Sequence, residues 1–161
     1  MRDVVIIGVD PGLVSGVALY AGSHEHFHSF SGGRPEVIRF VESQLIAYPD
    51  VVVACERYTL GGRHKSQQPD ALQLLGALEH ITHAGGGQFR YQGAAEARRA
   101  GSDTVLRRLK WYVVEPDAHR NRAAAQVLLA LATVAPFAYA KLVGGARMIR
   151  EPATNGDGVT T

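Results

Sequence analysis

Two short apolar runs in this chain each end on a carboxylate. Val4–Ile7, continued by Val9, is rich in β-branched residues and stops at Asp10-Pro11-Gly12, a turn signal. Val51–Cys55 is a continuous apolar run of the kind found in a central strand buried on both faces, and Glu56 follows it directly. Strands without an alternating polar face need cover on both sides. The chain is thereby constrained to a sheet with helices packed against its faces.

The remaining segments fit that constraint. Val17, Ala18, Leu19 and Tyr20 resume an apolar stretch after the turn, and Ser23–Phe30 reads as a third strand. Short Gly-containing connections make these three an antiparallel meander. From Pro35 onward, Val37, Ile38, Val41 and Leu45 recur at helical spacing. Thr59–Pro69 is a Gly-rich basic loop, and Asp70 is placed to cap a helix whose Leu74, Leu75, Leu78 and Ile81 form one stripe. Gly85-Gly86-Gly87 ends that helix, and Phe89–Gln92 reads as a fifth strand. Ala94–Leu109 is helical with a break at Gly101, where Ser102 or Asp103 supplies a new cap. Asp117 introduces an Ala- and Leu-rich helix running to about Val134. The order β-β-β-α-β-α-β-α-α predicts an α/β fold, a mixed five-stranded sheet with helices on both faces. With no internal repeat or linker, residues 1–150 read as one domain and 151–161 as a disordered tail.

Charge divides along the chain. Residues 1–84 carry six Arg/Lys against nine Asp/Glu, whereas residues 85–150 carry eleven against four. A basic half fits a polyanionic partner as well as it fits a solvated face. One cysteine, Cys55, excludes an internal disulfide framework and a Cys-rich zinc module. The opening residues are too brief for a signal peptide and no apolar stretch is long enough to span a bilayer. A cytoplasmic location and no membrane partner are the expectation.

The chemistry is expected where the two central strands leave the core. If they are neighbours, Asp10 and Glu56 converge, and their repulsion is costly unless a cation lies between them. A hard divalent ion with oxygen ligands, Mg²⁺ or Mn²⁺, suits such a pair. The competing reading is a turn Asp and a strand-end Glu paired with Arg57. Other conspicuous residues read more simply. His24, His26 and His28 share one exposed sheet face, Cys55 points away from Glu56 as a small buried hydrophobe, and Trp111 covers a core edge.

Ile6-Ile7-Gly8-Val9-Asp10-Pro11-Gly12-Leu13-Val14-Ser15-Gly16 resembles the first motif of the RuvC-like Holliday junction resolvases, which have the RNase H fold. Val53-Ala54-Cys55-Glu56-Arg57 is similar to their second acidic strand. Lys65-Ser66-Gln67-Gln68 followed by a Leu-Gly-Ala-Leu helix, and Ala94-Ala95-Glu96-Ala97 followed by Leu109-Lys110-Trp111, resemble the bacteriophage-encoded branch. The resemblance covers roughly residues 4–134. The first motif alone also opens the phosphate loops of actin-like ATPases. The ordered set is far more specific.

The resemblance implies metal-dependent cleavage of branched DNA, by a homodimer, with Asp10 and Glu56 holding Mg²⁺ or Mn²⁺. It also implies two further ligands three residues apart in the last helix, often His or Asp and then Asp. The matching positions here are His119 and Arg122. A guanidinium cannot ligate Mg²⁺. Three readings of this departure stay open: Asp117 supplies the missing carboxylate; His119 suffices with Asp10 and Glu56 in a weak or one-metal site; or Arg122 pairs with Asp10 or Glu56 and replaces the cation. The last would give a protein that binds junctions without cutting. An ATPase or kinase fragment is a distant alternative, since that architecture needs a second phosphate loop and a duplicated domain. Substrate contacts are expected from Tyr58, Arg63, His64 and Lys65 around the Gly-rich loop, from Arg107 and Lys110 with Arg98, Arg99 and Arg108, and from Arg122.

Overall fold

The computed structural model describes residues 4–22, 26–57, 69–114, 116 and 118–145. Its strands are β1 (Val5–Asp10), β2 (Ser15–Ala21), β3 (His26–Gly32), β4 (Val51–Glu56) and β5 (Gln88–Gln92). The helices are α1 (Arg34–Ala47), α2 (Pro69–Ala84), α3 (Ala94–Ala100), α4 (Asp103–Arg108), α5 (His119–Val134) and α6 (Pro136–Gly145). β1, β2 and β3 form the antiparallel meander, and β4 and β5 run parallel to β1, in the order β3-β2-β1-β4-β5. The mixed five-stranded sheet expected from the sequence is present. No helix among the described residues is long and apolar enough to cross a membrane.

Strand alternation divides the core into two layers. Val5, Ile7 and Val9, with Val51, Val53 and Cys55, pack against Val37 and Val41 of α1 and Leu74, Leu75 and Leu78 of α2. On the other face Ile6, Ala18, Val52 and Ala54 pack against Ala123, Val127, Leu128 and Leu131 of α5. Cys55 is fully buried in the first layer, and burial pushes its thiol far above the usual range. It behaves as the small hydrophobe expected. Trp111 likewise belongs to the core, stacked on Phe27 with ring centroids 4.1 Å apart.

Glycine brings α5 against the sheet at two places. A Cβ on Gly8 would overlap the carbonyl oxygen of Ala123 and lie 2.9 Å from Val127 Cγ2. One on Gly16 would overlap the backbone carbonyl of His119. Helix backbone therefore rests on strand backbone, closer than any side chain permits.

Several boundaries differ from the sequence reading. The third strand begins at His26 and continues to Gly32, with residues 23–25 outside the described residues. His26 and His28 are exposed, as expected; His24 lies outside. Helix α2 starts at Pro69, so Asp70 lies inside its first turn instead of capping it. The last core helix starts at His119 rather than Asp117, because Ala118 occupies the N-cap with a left-handed backbone (φ 53°). Helix α6 is an addition, started by Pro136 in the first helical position where a missing N–H costs nothing. The expected tail, 151–161, lies outside the described residues.

Candidate active site

The register of β1 and β4 brings the two strand-end carboxylates together. Gly8 pairs with Ala54 and Val9 with Cys55, so Asp10 and Glu56 come next, side by side. Alternation puts both on the face covered by α5. The turn after Asp10 is closed by Ser15, whose hydroxyl donates to the Gly12 carbonyl and accepts from the Gly12 N–H, each at 3.2 Å. Asp10 is buried and Glu56 half-buried at the rim of one open cleft of about 510 Å³.

Helix α5 closes the cleft from above, and three consecutive residues fix its first turn to three different parts of the fold. His119 Nδ1 lies 2.6 Å from Asp10 Oδ2. Arg120 Nη2 donates to the Ser29 carbonyl at 2.9 Å, which ties the turn to edge strand β3. Asn121 is buried and pairs with the backbone of Val113, accepting from its N–H at 2.9 Å and donating to its carbonyl at 2.7 Å. One turn on, Arg122 Nη1 stands 3.8 Å from Asp10 Oδ2, close enough for attraction but too long for a hydrogen bond.

The electrostatics follow from this packing. Burial raises the Glu56 carboxyl above its ordinary value, and the neighbouring Asp10 charge acts in the same direction. Arg122 and Arg98 oppose that shift. Two carboxylates this near one another are costly together unless a cation or a proton offsets the repulsion. Mg²⁺ is commonly held by one or two carboxylates, with water and phosphate oxygens completing its shell, and Asp10 and Glu56 fit that demand. No cluster of three or more metal-capable His, Cys, Asp or Glu side chains forms among the described residues. His119 contributes differently from a ligand at its Nδ1 atom. With Asp10 ionised, the carboxylate only accepts, and the 2.6 Å contact then requires the ring proton on Nδ1.

The structure brings together Asp10, Glu56, His119 and Arg122 of the expected set. Arg107 and Lys110 are exposed but line no part of the cleft, and the Arg107 guanidinium lies 3.6 Å above the Tyr112 ring. Tyr58, Arg63, His64, Lys65 and Asp117 lie outside the described residues. Three features were missed. Arg98, read only as part of a general basic patch, lines the cleft from α3. Leu13 and Val14, 71% and 50% exposed, form an apolar lip directly after the Asp10 turn. Gln126 is buried in the lining beside Gln92, whose amide, turned to match its neighbours, donates to the Gln126 side-chain oxygen at 2.6 Å. A glutamine within the run Ala123–Leu131 was the available signal for the last.

This strand order, with helices on both faces, defines an RNase H-like fold. Two solved structures of Thermus thermophilus RuvC share it, each with a TM-score of 0.54. One, in complex with a Holliday junction substrate, is 16% identical, with 81% of this chain and 94% of that chain covered. The other is 15% identical, with 80% of this chain and 95% of that one covered. No protein-family model and no curated protein matches the sequence.

Proposed function

We propose that the chain is a metal-dependent endonuclease acting on branched DNA, four-way junctions above all. The observation that carries this reading is the convergence of Asp10 and Glu56 at the ends of two adjacent parallel strands, under the first turn of α5. A bound Mg²⁺ or Mn²⁺ would supply an activated water and neutralise charge on the phosphate under attack. The protein's own residues do the positioning. Asp10 and Glu56 hold the ion. His119 fixes the Asp10 carboxylate through Nδ1, leaving Nε2 as the ring nitrogen able to meet water or phosphate. The N-terminus of α5 adds positive potential over the site.

The family resemblance in the sequence and the junction-bound neighbour of like fold support four-way junctions as substrate. Paired nicks across a junction would require two copies, hence a homodimer. Its place in the bacteriophage branch, and with it the host cytoplasm, rests on sequence motifs partly in residues 58–68. Asp117 remains a candidate further ligand.

Arg122 favours a second reading, a protein that binds junctions without cutting them. Its guanidinium already faces Asp10 and could stand in for the ion. Incubation of the purified chain with a labelled junction and a linear duplex, in Mg²⁺, Mn²⁺ or EDTA, separates the two. Metal-dependent nicks confined to the junction support the nuclease. Tight junction binding without nicks supports the binder.

A further inference from the structure

We infer that the cleft takes one divalent cation, on Asp10 and Glu56, and that Arg98 and Arg122 form a clamp for the phosphate oxygens of the strand beside it. The inference rests on the reading of the cleft as a nucleic-acid site and adds the number of ions and the residues that grip the backbone.

The two arginines reach one cleft from different helices. Arg98 lies on α3 and Arg122 on α5, and both line the cleft that contains Glu56. They arrive there because the two helices pack almost backbone to backbone. At Gly101, just beyond α3, a Cβ would lie 2.6 Å from Ala125 Cα and 2.8 Å from Ala125 Cβ. Both side chains share the cleft lining with Asp10 and Glu56, and Arg122 Nη1 stands 3.8 Å from Asp10 Oδ2. Arg98 Nε bonds weakly to the Ala94 carbonyl of its own helix at 3.3 Å, while Arg122 is 53% exposed. Arg122 reaches Asp10 Oδ2 at 3.8 Å, beyond hydrogen-bond distance, so its attraction to that carboxylate leaves N–H donors to offer elsewhere. A planar fork of N–H donors beside a metal-ligating pair is suited to bidentate contact with phosphate.

Charge sets the number of ions. Two carboxylates and two guanidinium groups balance, so one dication and one phosphodiester leave the cleft with a single surplus positive charge. A second dication would raise that surplus to three in a partly buried space, where like charges repel more strongly than in water. Arg122 also stands where the resemblance to the resolvases implies an acidic ligand, so its charge opposes a second ion at the place one would bind.

Mn²⁺ titration of the full chain without nucleic acid, followed by electron paramagnetic resonance, tests the ion count. The expected result is one bound ion per chain, lost in Asp10→Asn and rising to two in Arg122→Asp. Two ions in the unaltered chain would overturn the inference, as would none. The clamp is read separately from the salt dependence of binding in Ca²⁺, to a four-way junction and to a ten-nucleotide oligothymidylate. Arg98→Gln and Arg122→Gln should each lower the magnitude of the log–log slope by about 1. Unchanged slopes would overturn the clamp. Arginine-dependent binding of both probes with no preference for the junction would support the clamp and remove the junction reading alone.

Discussion

His119 Nδ1 and Asp10 Oδ2 are 2.6 Å apart, although 109 positions separate them in the chain. This contact joins the start of the long core helix to the end of the central strand. It turns a strand-end carboxylate into an oriented one. It depends on Gly16, which lets the His119 backbone settle against β2, and on Ala118, whose left-handed backbone sets the entry into the helix.

An orienting role predicts a graded loss at His119. His119→Ala should weaken Mn²⁺ binding by about 10–100-fold, the usual cost of removing a group that positions a metal ligand. His119→Asn can offer an amide N–H near the position of Nδ1 and should recover part of that loss. Calorimetric titration with Mn²⁺ checks both. Equal affinity in all three proteins would remove His119 from the site.

Glu56 predicts a pH dependence of stability in the metal-free protein. Burial first, and Asp10 second, raise its carboxyl above the ordinary 4.5, so the folded chain keeps this proton to higher pH than the unfolded chain does. Its contribution to stability is therefore most favourable below that ordinary value and declines as pH rises through the folded-state value. Glu56→Gln cannot ionise and escapes the decline. In EDTA, the Tm of Glu56→Gln relative to the unaltered protein should rise across that interval and then level off. A difference independent of pH would contradict the shift.

Glycine positions separate packing from propensity. Gly16→Ala forces a methyl group into the His119 carbonyl and should cost about 1–3 kcal/mol, with loss of Mn²⁺ affinity as the helix lifts. Gly76 lies in an exposed part of α2 with nothing within 4 Å of an added Cβ. Gly76→Ala should stabilise by about 0.5–1 kcal/mol and leave metal affinity unchanged. Chemical denaturation of the two variants measures the contrast.

The sheet and the carboxylate pair were legible in the sequence because they depend on local patterns. The apolar runs before Asp10 and Glu56 mark strands, and the period of two assigns Glu56 and Cys55 to opposite faces. The helix cap was displaced by one residue because Asp117 resembles a cap, whereas the left-handed Ala118 occupies that position. Helix α6 was missed although Pro136 signals a start as readily as a stop. Arg98 could not be assigned to the cleft from its neighbours in sequence. Its position depends on how closely Gly101 lets α3 approach α5, a tertiary contact with no local signature.

The most direct test of the central claim is strand-resolved mapping of nicks in a labelled four-way junction, for the unaltered protein and Asp10→Asn, with Mg²⁺ and with EDTA. The account predicts nicks only with the unaltered protein and metal, a loss of at least about 100-fold in Asp10→Asn, and retained junction binding by the variant. Equal nicking by both proteins, or nicking in EDTA, would contradict it.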